Sequence, residues 1–308
     1  NYINKITMEQ IISTFPSAIR PDISTISDNG GILTADRCER ICSLLSISLE
    51  SLMLSLLPVA ASYSRAGLSS YKVGAVAQGV ATNKQGYSNL YLGSNLEFQS
   101  LSFSVHAEQS AVSNAWLDGQ KGIKAIAVSA APCGLCRQFL KEISGNNLLK
   151  IILPGNNFFD LSQLLPAAFG PLDLGCEHLL MQQSGELKQL ELVTASDSKL
   201  VKLALKAASL SYAPYTLNYA GCALELTTGE MFSGRYAENA AHNPSFSPFS
   251  SLLSKTALSI AAFEYINIKR VVLVECPTIV SQKKVTEYLL ASCNTAIKLE
   301  YYPAVVNA

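Results

Sequence analysis

Two rhythms of apolar residues alternate along the 308-residue chain. Residues 1 to about 48 carry a helical period. Thr34-Ala35-Asp36 offers caps for a helix through Ile41, Leu44 and Leu45, which predicts a small helical amino-terminal unit with a packing or dimer-facing role and no chemistry of its own. From Leu49 helix and strand signals interleave. Leu52 to Ala66 is helical in period, and Val73 to Ala81 and Tyr87 to Asn95 read as paired strands across the Asn83-Lys84-Gln85-Gly86 turn. His106 to Trp116 returns to helix, with Ala107, Ala111, Val112 and Ala115 on one stripe. Ala125 to Ser129 is a buried strand, Cys133 to Ile143 a helix and Ile151 to Leu153 a further strand. The pattern over 49–153 is that of an α/β domain in three layers, α/β/α, around a mixed sheet.

Residues 154–194 lack a clear period and carry Pro154-Gly155, Pro166 and Gly170-Pro171, so they read as a long connector; Phe158, Phe159 and Phe169 argue that it is ordered. Residues 195–308 repeat the preceding domain. Ala61-Ser62-Tyr63-Ser64 followed by Val73-Gly74-Ala75 is echoed by Ala208-Ser209-Leu210-Ser211-Tyr212-Ala213-Pro214 followed by Ala220-Gly221-Cys222-Ala223. Val128-Ser129-Ala130-Ala131-Pro132-Cys133 is matched by Val274-Glu275-Cys276-Pro277-Thr278.

Charge narrows the partners. Lys plus Arg equals Asp plus Glu at 23 each, so the excess that drives phosphate-backbone binding is missing, and neither nucleic acid nor a membrane surface is expected as partner. Asn1 to Gln10 has no basic stretch followed by an apolar run and does not read as a secretory signal. The most apolar segment, Ile41 to Leu57, is interrupted by Glu50 and ended by Pro58, short of the roughly 20 apolar residues a membrane span requires, and reads as buried core. The eight cysteines are scattered, which suits a reducing cytoplasm better than a disulfide framework. Cys38 with Cys42, and Cys176 near His178, invite a metal reading, but with no further ligands beside them both pairs read as ordinary half-buried cysteines.

One constellation carries chemistry. His106-Ala107-Glu108 and Pro132-Cys133-Gly134-Leu135-Cys136 together supply an imidazole, two thiols and a carboxylate. His106, Cys133 and Cys136 make three zinc ligands, the number found in catalytic sites, whereas a structural staple closes its sphere with a fourth Cys or His from a second pair. His106 and Cys133 both fall at predicted helix starts, where free N–H groups favour thiolate over thiol, and Pro132 suits the helix entry. Glu108, two residues from His106, does not share its face on a regular helix and is left free to carry protons. Arg137 is a candidate donor to the thiolate sulfurs, with an ordinary surface salt bridge as its rival role. In the repeat, Thr278 and Ser281 stand where Cys133 and Cys136 do, and Ser245 to Ser254 holds no His, Cys or Glu, so one zinc per chain is expected.

These residues resemble the H-x-E and P-C-x-x-C signature of the zinc-dependent deaminases. Ser70-Tyr71-Lys72-Val73-Gly74-Ala75 further resembles the strand with which cytidine deaminases present an aromatic to the pyrimidine, with Tyr71 where Phe is usual, and Gly93-Ser94-Asn95-Leu96-Glu97-Phe98 resembles their Asn-x-Glu segment, whose side chains hold the sugar hydroxyls. On a strand, residues two apart share a face, so Asn95 and Glu97 can act together, and a carboxylate beside the sugar disfavours a nearby phosphate. The resemblance covers most of the chain and implies the two-domain homodimeric type: a helical amino-terminal unit, a catalytic domain and a metal-free duplicate. It implies hydrolysis of cytidine and 2′-deoxycytidine to the uridines and ammonia, a step of pyrimidine salvage, with Glu108 as proton carrier and the Ala107 carbonyl orienting the amino group. It also implies a homodimer in which Phe169, within Ala168-Phe169-Gly170-Pro171, crosses to the partner's site. Two other readings stay open here: a deaminase of polynucleotide or of a modified cytosine nucleoside, and an inactive zinc-stapled nucleoside-binding protein. The second is the weaker, because structural zinc has no use for Glu108.

Overall fold

The computed structural model describes residues 7–143, 148–182, 187–260 and 263–307; the first six residues of the stretch read for a secretory signal lie outside these. The amino-terminal unit comprises α1 (Met8–Ser13), α2 (Arg20–Asp28), a short strand β1 (Ile32–Leu33) and α3 (Ala35–Leu45). Thr34 stands at the N-cap of α3 without a side-chain bond; the Ala35 N–H is met by Asn89 Oδ1 at 2.8 Å instead. The single helix expected over Leu52–Ala66 is two, α4 (Leu49–Ser55) and α5 (Leu57–Ser62), because Pro58 lacks the N–H that would continue the ladder and sits where a new helix begins. Among the described residues no single helix is long and apolar enough to cross a membrane, and the apolar segment that tempts that reading bends by 98° between α3 and the α4–α5 pair.

There follow β2 (Gly74–Thr82), β3 (Ser88–Ser94), α6 (Ala107–Leu117), β4 (Ile123–Val128), α7 (Gly134–Lys141), β5 (Lys150–Leu153), β6 (Asn157–Asp160) and α8 (Leu161–Leu164). The β2–β3 hairpin turns where Asn83 and Gly86 require it: Asn83 Oδ1 accepts from the N–H groups of Gln85 and Tyr87, and Gly86 has φ +86. The first sheet runs β1-β3-β2-β4-β5-β6, with β4 parallel to β5 and the other pairs antiparallel. One face packs on the amino-terminal unit, α4 and α5 through Ile23, Ile41, Leu52 and Val76, and the other on α6 and α7 through Ala111, Ile126 and Phe139. That is the mixed three-layer sheet expected from the alternating pattern.

The second half holds β7 (Leu190–Leu192), α9 (Lys199–Ser209), β8 (Ala220–Leu226), β9 (Met231–Arg235), α10 (Pro248–Ser259), β10 (Ile268–Glu275), α11 (Lys283–Cys293) and β11 (Leu299–Val306). In its sheet, β7-β11-β10-β8-β9, the four strands β11-β10-β8-β9 match β5-β4-β2-β3 of the first in order and direction, with α9, α10 and α11 replaying α5, α6 and α7. The duplication expected from the repeats is therefore a duplication of topology. The connector is more regular than its sequence suggests: β6 and β7 extend opposite sheets as edge strands, and elements of three and four residues are too short to print a period.

The two halves meet along α6 and α10. Ser110 and Ser254 hydroxyls lie 2.7 Å apart, and Ser113 and Ser251 2.9 Å apart, a reciprocal pairing of corresponding helices. Gly93 lets β3 close on α6: a Cβ there would stand 2.1 Å from the Ala111 nitrogen and 2.4 Å from the Ala107 carbonyl, and Gly234 repeats this against Leu252 and Pro248 at 2.1 and 2.5 Å. Sandwiched in this way, α6 is buried on every side from Ala107 to Trp116.

Candidate active site

The site forms where the starts of α6 and α7 converge. Val105 pairs with Leu96 in both directions, 2.8 and 2.9 Å, which carries the chain from the sheet edge into α6 with His106 as an extended N-cap. The His106 N–H is met by Gln109 Oε1 at 3.2 Å. After β4, the Ser129 hydroxyl accepts from Gly74 N–H at 3.1 Å and the chain turns into α7 with Cys133 as N-cap. The His106 Nδ1 then lies 3.5 Å from the Cys133 sulfur and 3.3 Å from the Cys136 sulfur, and all three ligand atoms fall within 4.8 Å of one another.

These spacings fit zinc. With Zn–S of about 2.3 Å and Zn–N of about 2.0–2.1 Å, tetrahedral nitrogen and sulfur ligands stand roughly 3.5 Å apart. The donor set fits equally: the thiol of Cys133 is pulled down to about 4 by a hydrogen bond from the Cys136 thiol and by nearby N–H groups, while Cys136 is pushed well above its ordinary value because it shares that bond and is buried. Two adjacent sulfurs cannot both ionise without a cation between them, and zinc is that cation. Among the described residues this is the one such cluster of His, Cys and carboxylates. Cys38 and Cys42 lie in the amino-terminal core, their thiols raised by burial, which agrees with their structural reading.

Glu108 is 4 % exposed at the second position of α6, and the Cys136 thiol and His106 are among the groups that act on it. Regular-helix spacing places it off the His106 face; because His106 is an extended cap, both side chains nonetheless come close enough to interact. Burial pushes its carboxyl up, against hydrogen bonds that pull it down, and a raised carboxyl is suited to taking and returning protons near neutral pH.

Asn95 and Glu97 flank Leu96 on extended backbone, as alternation requires, and both hold the 64–73 loop. Asn95 Oδ1 accepts from Ser64 Oγ at 2.6 Å and Val73 N–H at 2.9 Å, and its Nδ2 donates to the Tyr71 carbonyl at 2.9 Å. Glu97 Oε2 accepts from the N–H groups of Leu68 and Ser69 at 2.7 and 3.0 Å, and Oε1 accepts from the Ser69 hydroxyl. Partial burial pulls the other way, but the Ser69 hydroxyl and these N–H groups hold Glu97 below its ordinary range, hence ionised. What the pair retains is one N–H on Asn95 and one lone pair on Glu97. Ser64 and Ser69 are partners the motif did not announce; Thr216, which plays the Ser69 part in the repeat, is the signal that could have found one of them.

Tyr71 presents its ring to solvent, 62 % exposed, beside this loop. Ala107 is buried with its carbonyl against Gly93. Phe169 is 46 % exposed, and its carbonyl takes a bond from Gln138 Nε2 of α7 at 2.8 Å. The Arg137 guanidinium bridges the carbonyls of Pro132 and Leu164, each at 2.8 Å, because a planar fork suits two fixed backbone oxygens, and so it braces the loop entering α7. In the duplicate the same positions are chemically silent. Ser247 caps α10 where His106 caps α6, α11 begins only after Gln282, and the buried Glu275 accepts from Ser281, which the sequence match sets opposite Cys136.

Two family models, each described as the cytidine and deoxycytidylate deaminase zinc-binding region, match residues 48–149 and 161–287, the second over the metal-free duplicate. A cytidine deaminase of Vibrio parahaemolyticus is 41 % identical over 88 % of this chain and 90 % of its own length. A cytidine deaminase of Pectobacterium atrosepticum is 38 % identical over 92 % of both chains. The crystal structure of cytidine deaminase from Mycobacterium tuberculosis is 29 % identical over 39 % of this chain and 96 % of that one, with a TM-score of 0.34.

Proposed function

The chain belongs to the zinc-dependent cytidine deaminase family, and from that premise we propose that it deaminates cytidine and 2′-deoxycytidine alike, with His106, Cys133 and Cys136 holding the metal and Glu108 moving the protons. The observation that carries this is the convergence of the imidazole and both sulfurs within 4.8 Å beside a carboxylate that is 4 % exposed. Zinc bound there supplies a Lewis acid able to bring the pKa of a water down to about 7. Glu108 accepts a proton from the attacking water, whose oxygen bonds to C4 of the pyrimidine, and delivers it to N3; it then takes the remaining proton from the oxygen on C4 and passes it to the amino group as the C4–N bond breaks and the C4 carbonyl forms. One water is consumed and one ammonia leaves. The Ala107 carbonyl orients the amino group, and Tyr71 lies along the base.

The sugar is met by the residual N–H of Asn95 and lone pair of Glu97, which together match one hydroxyl, acting as acceptor to the first and donor to the second. A grip on one hydroxyl supports acceptance of both sugars. The ionised Glu97 favours free nucleoside over nucleotide or polynucleotide. We further read the protein as a cytoplasmic homodimer, in which the exposed ring of Phe169 closes the partner's site; the thiols of the metal site need a reducing compartment.

The test of the proton carrier is Glu108→Ala: retained zinc with a rate for cytidine lowered by at least about 100-fold is expected, and near-parental turnover would refute the assignment. Ammonia release from cytidine, CMP and a single-stranded oligonucleotide, measured side by side, separates the substrate classes, and activity on the oligonucleotide alone would overturn the nucleoside reading. A fully active monomer in sedimentation would remove the dimer.

A further inference from the structure

The duplicate has lost every zinc ligand, yet it grips the helix that carries two of them. Glu142 caps the carboxyl end of α7 and is fully buried. Every partner of its side chain belongs to the duplicate: Oε1 accepts from the hydroxyls of Tyr212, at 2.9 Å, and Tyr215, and Oε2 accepts from the Ala240 N–H at 2.9 Å. On the same face of α7, the Gln138 carbonyl takes a bond from Asn239 Nδ2 at 3.1 Å, and Phe139 meets Phe246 edge to face at 6.2 Å. Tyr215 is itself held in place, because Glu238, the counterpart of Glu97, accepts from its N–H at 2.9 Å and from the N–H and hydroxyl of Thr216. A short helix pinned at its far end by a buried carboxylate that holds three donors transmits that position to its near end, since Glu142 lies six residues, or about 9 Å along the axis, beyond Cys136.

We propose that Glu142 is a positioning residue for the zinc thiols, and that the duplicate acts through it, Tyr212 and Tyr215 as the mount that sets where Cys133 and Cys136 stand. It touches neither metal nor substrate. The inference rests on the metal site proposed above.

The test uses the full chain as Glu142→Leu, Glu142→Gln and the double variant Tyr212→Phe/Tyr215→Phe. Zinc affinity is read by competition with a chromophoric chelator, and cobalt(II)-substituted protein reports the sulfur-to-cobalt absorption. Glu142→Leu and the tyrosine pair are expected to weaken zinc about tenfold and to shift the cobalt band, while Glu142→Gln, whose Oε1 can still accept from both tyrosines and which gives up only the Ala240 N–H, stays within threefold of the parent. Parental zinc affinity and an unmoved cobalt band in all three would overturn the mount even if melting temperatures fall. If Glu142→Leu fails to fold, the tyrosine pair, which removes two oxygens and leaves the rings, decides alone. A parent whose cobalt form shows no sulfur absorption would overturn the metal site itself, a distinct result.

Discussion

Deleting the sugar hydroxyls one at a time tests the hydrogen-bond count at Asn95 and Glu97 without touching the protein. Asn95 gives both acceptor positions and one N–H to the 64–73 loop, and Glu97 takes three donors from Leu68 and Ser69, so one donor and one acceptor remain between them. One hydroxyl satisfies both. Because 2′-deoxycytidine is read as a substrate, the gripped hydroxyl is one the two nucleosides share, and the 3′ position is the one within the ring. A nucleoside lacking it leaves an ionised carboxylate and an amide hydrogen unmet, a loss of about 2–4 kcal/mol, or roughly 30- to 1,000-fold in kcat/KM. A nucleoside lacking the 2′ hydroxyl should stay within about tenfold of cytidine. The assay is the loss of pyrimidine absorbance with cytidine, 2′-deoxycytidine and 3′-deoxycytidine under one set of conditions. Large losses from both deletions would mean that the loop releases Asn95 or Glu97 on binding, and small losses from both would mean that the pair does not meet the sugar; either refutes the count.

Three further outcomes follow from the packing and the charges. Gly93→Ala should destabilise by about 1–3 kcal/mol or more, since its Cβ meets backbone at 2.1 and 2.4 Å, and urea denaturation should find Gly234→Ala equally destabilised; only Gly93→Ala should also lose zinc, because only it displaces the helix that begins at His106. A chelator should abolish activity, with zinc restoring it and magnesium failing to, as the nitrogen and sulfur donors demand; activity that survives complete zinc removal would exclude the metal from the reaction. Burial raises the Glu142 carboxyl above the ordinary 4.5 in spite of its three donors. Its contribution to stability is therefore present in full below about 4.5 and lost as pH rises through the raised folded-state value, so the margin of the parent over Glu142→Gln should shrink as pH rises above about 4.5, and a margin that grows would reverse the assignment.

Much of this was legible in the residues, for reasons that differ by feature. The alternation around β2 and β3 and the Asn83–Gly86 turn are local signals, and local chemistry decides them. The zinc cluster was legible because metal ligation restricts residue type and spacing together, which few other demands on a chain do. The break at Leu56 was missed where apolar periodicity overruled Pro58, although the proline was the stronger statement about backbone. Strand β1 was invisible: two residues have no period, and Ile32 and Leu33 earn their place by pairing with Tyr91 and Leu90, a contact made far along the chain. The bracing bonds of Arg137 were invisible for a related reason. Its partners are carbonyls, which every residue has, so no side-chain motif announces them.

The duplicate shows which parts of the original design serve chemistry and which serve shape. Ser247 stands in place of His106, the sequence match sets Thr278 and Ser281 opposite Cys133 and Cys136, and the helix and sheet order persist without the ligands, so the ligands are not what holds this fold together. Glu97 and Glu238 make the contrary case. Each accepts two backbone N–H groups and one hydroxyl from the loop before β2 or β8 respectively, in one half beside the zinc ligands and in the other where nothing reacts. A carboxylate that keeps its bonds after the reaction is gone is holding the loop, and holding the loop must be part of what Glu97 does as well. Replacing Glu97 therefore perturbs two things at once, the sugar and the 64–73 loop that carries Tyr71. Substitution at Ser69 separates them, because it loosens the loop while leaving the carboxylate in place to meet the sugar.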